Sequence, residues 1–277
     1  MLAMMKPLLL GVGLLLAACT NLPTPTARLD LADALAARQG WQRVFIPSGT
    51  FEMAVYVPGT HKTGDALTVY IEGDGFAWIS PSQPSLDPTP NNPVGLKLAL
   101  ANPGGNAAYL ARLCQYIDAD ARGCSQRYWT EQRFAPEVIE ASDKALDALK
   151  ARFSARQLTL VGYSGGGAVA TLLAARRNDV TNLITVAGNL DHAAWTRHHR
   201  TKPLTGSLNP ADARDALKEI RQWHFAGGQD RIMPPELIES FANRFPETQR
   251  PVVLVEPDYD HECCWAENWP RLLEQIH

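Results

Sequence analysis

Leu158-Thr159-Leu160-Val161-Gly162-Tyr163-Ser164-Gly165-Gly166-Gly167-Ala168-Val169-Ala170 joins a short apolar run, a glycine-flanked serine and the start of an Ala/Leu-rich segment. The apolar run has the length and composition of a buried parallel strand, and the segment after it has those of a helix. A chain that reverses sharply from strand to helix puts its turn residue in a strained conformation. Side chains at Gly162 or Gly166 would strike the neighbouring strand or helix there. Such a turn lifts Ser164 clear of the sheet at the positive end of a helix.

Working outward, the C-terminal third supplies two partners for a serine. The run Trp223-His224-Phe225-Ala226 is strand-like and leads into Gly227-Gly228-Gln229-Asp230-Arg231-Ile232-Met233-Pro234. The strand-like 252–255 leads into Pro257-Asp258-Tyr259-Asp260-His261. A serine hydroxyl is a weak nucleophile until a base takes its proton, and a third group must hold that base in one orientation. Ser164 is therefore the candidate nucleophile, with Asp230 and His261 as orienting acid and base by the family resemblance given next. Asp191, just past another strand, is the rival acid. His224 is expected in the core, and His61 and His277 at the surface. His192, His198 and His199 are expected on a solvated loop or at the rim of the site.

These stretches resemble the α/β-hydrolase family over residues 42–275. The Gly-x-Ser-x-Gly turn, the segment 227–234 and the order Ser, acid, His carry the resemblance. It implies one α/β domain with a mostly parallel central sheet and helices on both faces. It also implies a serine hydrolase that needs no metal or organic cofactor. The oxyanion donors are expected to be the N–H groups of Gly165 and of Asp74, in the loop Glu72-Gly73-Asp74-Gly75. Family members usually begin that loop His-Gly, and Glu72 departs from the pattern. The Asp74 carboxylate must turn away, because negative charge at the hole opposes the developing oxyanion. A carboxylic ester is the default substrate, and a peptidase, thioesterase or acyltransferase would use the same residues. A silent scaffold that keeps only the shell is the rival outside enzymology. Phe76, Trp78, Tyr163 and Trp195 are candidates for an apolar pocket wall. Trp78, in place of a third glycine, removes a dinucleotide-binding reading of residues 73–78.

The remaining sequence sets the frame. The 277 residues suffice for one large domain, and 45% apolar and 20% charged content are ordinary for a globular chain. A formal charge of −3 gives no support to a nucleic-acid partner. Lys6 precedes an uncharged run, 7–18, of the length of a secretory signal core. The run ends Leu16-Ala17-Ala18-Cys19, which resembles the bacterial lipoprotein signal. That resemblance implies removal of residues 1–18, a lipid anchor at Cys19 and, with Thr20 following, an outer-membrane location. Residues 19–29 then form the lipidated cysteine and a tether, and 30–277 the hydrolase domain. The expected partners are a small-molecule or lipid acyl substrate and the membrane.

Export makes disulfides expected. Four cysteines remain after Cys19 and allow three pairings. Cys114–Cys124 is the expected bridge, while Cys263 and Cys264 form a vicinal bridge or stay reduced. No metal site is expected, since no Cys-x-x-Cys spacing occurs. The acidic run 118–123 fails as a calcium loop, because Arg122 takes a ligand position and Trp129 stands where the closing Glu belongs. Helices are expected at 30–38, 94–101, 136–153, 235–245 and 264–276. Strands are expected at 42–47, 51–58, 66–71, 107–117, 180–187 and 220–226, with irregular chain at 80–93 and 188–214.

Overall fold

The computed structural model describes residues 22–118 and 123–276. Cys19 and the proposed signal lie outside the described residues, as do Asp120 and Arg122 of the acidic run and His277. The first element is helix α1 (Pro25–Arg38), which starts earlier than the sequence suggests. The Thr24 hydroxyl accepts the Ala27 N–H at 3.1 Å, and Pro25 occupies the first turn, where no N–H is needed. Arg28 is buried against Asp87 at 3.0 Å and lies over the Phe76 ring. Residues 25–29, expected in the tether, thus lie in the first turns of α1, where Arg28 packs against Asp87.

Strands β1 (Trp41–Ser48) and β2 (Phe51–Pro58) form an antiparallel hairpin. Then come β3 (Ala66–Ile71), a small ribbon of β4 (Trp78–Ser80) and β5 (Gln83–Pro84), α2 (Val94–Leu100) and β6 (Ala107–Leu110). The middle of the chain supplies α3 (Pro136–Phe153), β7 (Gln157–Tyr163), α4 (Gly165–Arg176), β8 (Val180–Val186) and α5 (His192–His198). It closes with β9 (Arg221–Gly227), α6 (Pro235–Ala242), β10 (Val252–Glu256) and α7 (Trp269–Leu273).

Eight strands form one sheet in the order β1-β2-β6-β3-β7-β8-β9-β10. Strand β2 is antiparallel to both its neighbours, and the pairs from β6 to β10 are parallel. Side chains alternate between two cores because successive Cβ atoms point to opposite faces. Met53, Val55 and Val57 enter the core under α3, α4 and α6, whereas Ala54 and Tyr56 enter the one under α1, α2 and α7. In β7, Leu158 and Leu160 face the first core, and Val161 and Tyr163 the second. The alternation is hidden in the sequence because both faces are apolar.

Four local expectations change. Strand β6 stops at Leu110, because Cys114 and Tyr116 take positive φ (70° and 59°), which a strand cannot hold. The irregular 188–214 contains α5 and runs into a 3-10 turn, Pro210–Leu217. The proline-rich 80–93 contributes to the β4–β5 ribbon. Of 264–276, Trp269–Leu273 is helical; the bulky Trp265 and Trp269 are buried, and Trp269 Nε1 donates to the Tyr70 hydroxyl at 2.9 Å. Cys114 and Cys124 are joined by a disulfide, and Cys263 and Cys264 are joined as a vicinal pair. Among the described residues no helix is long and apolar enough to cross a membrane.

Candidate active site

The turn from β7 into α4 holds Ser164 at φ 50°, ψ −120°, well outside the ordinary regions for a serine. Its surroundings enforce this. A Cβ on Gly162 would lie 2.4 Å from the Gly166 carbonyl oxygen. One on Gly166 would lie 2.3 Å from the carbonyl oxygens of Ile71 and Glu72. Strand, helix and loop 72–75 can thus approach only through bare backbone. The Ser164 N–H donates to Val186 at 2.9 Å, and its carbonyl accepts the N–H groups of Gly167 (2.9 Å) and Asn189 (3.0 Å).

Asp230 and His261 follow the C-terminal ends of β9 and β10, which run parallel beside β8. Their loops are stitched together by Gly228 N–H to Glu256 O (2.8 Å) and Gln229 N–H to Tyr259 O (2.9 Å). Asp230 Oδ1 accepts the N–H groups of Ile232 and Met233 at 2.8 and 2.7 Å, leaving Oδ2 to meet His261 Nδ1 at 2.7 Å. A proton on Nδ1 then faces the carboxylate, so Nε2 is the acceptor for the Ser164 hydroxyl, 2.9 Å away. The Asp230 side chain is fully buried and that of His261 is 12% exposed. The His261 carbonyl accepts from the Tyr163 hydroxyl (3.2 Å) and Trp265 Nε1 (3.1 Å). Asp260 Oδ1 ties down the next turn through the N–H groups of Cys263 and Glu262, which hold its carboxyl below the usual range.

The third component is loop 72–75. The Gly165 N–H is the first donor of α4, with no preceding helical turn to supply an acceptor. Among the described residues, the Asp74 N–H donates to no other group. Gly73 packs on the turn, since a Cβ there would come within 3.3 Å of Ser164 Cβ. The Asp74 carboxylate does not turn away from the turn, since Oδ1 lies 2.0 Å from where a Cβ on Gly165 would stand, but it is paired there with two buried guanidiniums, Arg112 Nη1 at 2.9 Å and Arg133 Nη1 at 2.5 Å. Burial opposes its charge, but Arg133 and Arg112 outweigh burial and hold its pKa below the usual value.

Glu72, where the family pattern has histidine, is buried and structural. Its carboxylate accepts the N–H groups of Gly73 (2.8 Å), Gly95 (3.1 Å) and Leu96 (3.3 Å) and the Tyr109 hydroxyl (3.1 Å). It therefore fastens loop 72–75 to the start of α2. Burial pushes its pKa up despite these donors.

The cleft before Ser164 has a volume of about 300 Å³, with Phe76, Tyr163 and Ile232 among its walls. Trp78 and Trp195 do not line it. Trp78 is exposed on the ribbon, while Trp195 Nε1 (2.7 Å) and His199 Nε2 (2.9 Å) brace the Ile232 carbonyl from behind. Asp191 is engaged elsewhere, accepting the Ala194 N–H as the cap of α5 and pairing with Arg244 at 2.6 Å. His192, expected on a solvated loop, is buried against Phe134. His224 is fully buried on β9, and His61 is exposed. Arg112 and Arg133 escaped the sequence reading, as no local pattern marks them. Among the described residues no group of three His, Cys, Asp or Glu could hold a metal ion.

No protein-family model and no curated protein matches this sequence. Solved structures do. The Pyrococcus furiosus esterase Pf2001 superposes with a TM-score of 0.59 at 11% identity, over 85% of this chain and 89% of its own. An α/β serine hydrolase homologue from Coxiella burnetii gives 0.54 at 17% identity, over 84% and 93%. The acylaminoacyl peptidase of Pyrococcus horikoshii gives 0.56 at 11% identity, over 80% of this chain and 37% of its own. At these identities the likeness concerns the fold: this chain has the α/β-hydrolase fold, which carries more than one chemistry.

Proposed function

We propose that this protein is a serine hydrolase that cleaves a carboxylic ester through an acyl-enzyme. The observation that carries the reading is the hydrogen-bonded row Ser164–His261–Asp230, with contacts of 2.9 and 2.7 Å, beside two backbone donors. Ser164 Oγ attacks the carbonyl carbon as its proton passes to His261 Nε2, and the oxyanion is held by the N–H groups of Gly165 and Asp74. The C–O bond to the alcohol then breaks, and His261 gives that proton to the departing oxygen. Water repeats the sequence on the acyl-enzyme: it loses a proton to His261 and attacks the carbonyl carbon, and the bond to Ser164 Oγ then breaks as His261 returns the proton to that oxygen, releasing the acid. The Asp230 carboxylate steadies the imidazolium. Each step uses groups of this chain and water alone.

A fluorophosphonate tests the reading directly. The intact protein is expected to acquire one Ser164 adduct and to hydrolyse p-nitrophenyl acetate, and Ser164→Ala to do neither. Absence of both reactions in the intact protein defeats the proposal.

The cellular place proposed with it is the bacterial envelope, through lipid at Cys19 after removal of residues 1–18. Its support is the sequence Leu16-Ala17-Ala18-Cys19 behind an apolar run. The outer membrane is the proposed destination, with Thr20 following the cysteine. Replacing Cys19 with Ser is expected to leave the protein unlipidated and to release it from washed membranes. Retention equal to that of the parent contradicts the anchor.

A further inference from the structure

The first helix begins beside the cleft. Arg28 Nη2 donates to the Asp87 carbonyl at 3.2 Å and to Asp87 Oδ1 at 3.0 Å. Its guanidinium carbon lies 5.0 Å from the centre of the Phe76 ring, and Phe76 is also a wall of the cleft before Ser164. The N-terminal end of α1 is thereby fixed to loop 76–87, next to the site.

That loop carries the β4–β5 ribbon, closed at its base by Ser85 N–H to Ala77 O at 3.0 Å. Trp78 and Ile79 on the ribbon are exposed, and Leu86 just after it is 79% exposed. Phe45 on the edge strand β1 is exposed too, and it shares one hollow with Leu86 and with Pro25 and Leu29 of α1. Leu22, three residues before α1, is 54% exposed. Large apolar side chains thus gather in solvent around the start of α1 and the ribbon beside it. Arg28 pairs there with Asp87, and Arg43, which lies over the Phe45 ring, pairs with Asp33.

Given the lipid anchor proposed above, on which this inference rests, we propose that the patch of Leu22, Phe45, Trp78, Ile79 and Leu86 lies on the bilayer that holds Cys19. The cleft then works close to the lipid surface. A free tether over residues 19–29 would let the domain stand up to about 35 Å from its lipid. Helix α1 already starts at Pro25, however, and Cys19 is three residues from Leu22, at most about 11 Å along an extended chain. The anchor therefore holds this end of the domain at the membrane. Contiguous exposed apolar side chains mark a contact surface. Trp78 suits the headgroup region, since indole joins an apolar body to one N–H. A protein partner gives no reason for the patch to surround the anchored end of the chain, whereas a bilayer does.

The test uses the full chain, purified from membranes with its lipid and reconstituted in vesicles of phosphatidylethanolamine and phosphatidylglycerol. The vesicles contain a phospholipid with a diazirine near its headgroup. Irradiation and peptide mapping are expected to place adducts in 41–48 and 76–88 at least about fivefold above those in 252–256. The latter is the edge strand at the far side of the sheet, where Val252 and Val255 are also exposed. Replacing Trp78 and Leu86 together by Glu is expected to lower the adducts in 41–48 about tenfold. Lipid at Cys19 and the urea midpoint should stay as in the parent. Equal adducts in 252–256, or adducts in 41–48 untouched by the double replacement, overturn the inference and leave the anchor standing. Chains cross-linked to each other through the patch assign it to a second copy and overturn it too. A Cys19 peptide without lipid defeats the anchor and this inference together. No readout needs Ser164 to react, so failure of the esterase reading is seen separately, by fluorophosphonate.

Discussion

Asp74 Oδ2 accepts a hydrogen bond from Arg133 Nη1 at 2.5 Å, across 59 residues of chain, while Oδ1 takes Arg112 Nη1 at 2.9 Å. The same Asp74 carries the N–H proposed above as the second oxyanion donor, so the ion cluster fixes the loop that bears it. A Cβ on Gly165 would lie 2.0 Å from Asp74 Oδ1, which shows how closely the cluster underlies the turn. Asp74→Ala leaves two buried guanidiniums uncompensated and is expected to cost about 3–5 kcal/mol in urea unfolding. It is also expected to lower kcat by about 100-fold through displacement of the loop. Because the folded carboxyl titrates below its unfolded value, its stabilisation is present above about pH 4 and lost as pH falls through the folded pKa. The stability gap between parent and Asp74→Asn should accordingly be widest at neutral pH and shrink in acid. A gap that widens in acid contradicts the assignment.

Asp230 meets His261 through Oδ2 alone, with Oδ1 committed to two backbone N–H groups. Asp230→Asn can keep the loop but presents an amide N–H or a weak acceptor to Nδ1, favouring the wrong imidazole tautomer. The expected loss in kcat for p-nitrophenyl acetate is roughly 10³–10⁴-fold, with labelling at Ser164 slowed in parallel. In the parent, only the neutral imidazole of His261 accepts the serine proton.

The elements that position the site were legible because their signals are local. Gly162-x-Ser164-x-Gly166 after an apolar run marks a strand-to-helix turn, and Asp230 and His261 each follow a recognisable strand end. Their meeting required the parallel strand order, which the family resemblance supplied. What stayed hidden depends on contacts distant in sequence. Arg112 and Arg133 lie 38 and 59 residues from Asp74 and look like ordinary charged residues in the chain. Glu72 looked like a defect in the oxyanion loop, yet it accepts N–H groups 23 and 24 residues away at the start of α2. Helix α5 was missed because its seven residues are too few to show a periodic face, and its cap, Asp191, drew notice as a rival acid.

Cys114 and Cys124 close a loop of sequence separation 10 that carries Tyr116, whose ring is buried against Tyr56 and Tyr109. Arg112, two residues before Cys114, belongs to the ion cluster beside the nucleophile turn. Loss of the bridge restores freedom mainly to the unfolded chain, and for a loop this short the expected cost is about 2–3 kcal/mol. The double replacement Cys114→Ser, Cys124→Ser should therefore lower the urea midpoint while kcat for a small ester stays within about twofold at 25 °C. A kcat loss as large as that of Asp74→Ala would show instead that the bridge holds the Arg112 arm of the site.

His224 lies fully buried on β9, its Nδ1 2.8 Å from Thr185 Oγ1, and burial depresses its pKa to about 3. An unfolded histidine titrates near 6.5, so between these values the unfolded chain binds a proton that the folded one refuses. Stability from this residue is therefore complete above about pH 6.5 and drains away as pH falls toward 3. Going from pH 6 to pH 5 should remove about 1 kcal/mol from the parent for this reason alone. His224→Leu removes the titration and leaves all other groups in place, so its unfolding free energy should fall less over the same step. Urea titrations of both proteins at the two pH values give the difference of slopes directly. Equal slopes would mean that this imidazole takes up its proton inside the fold.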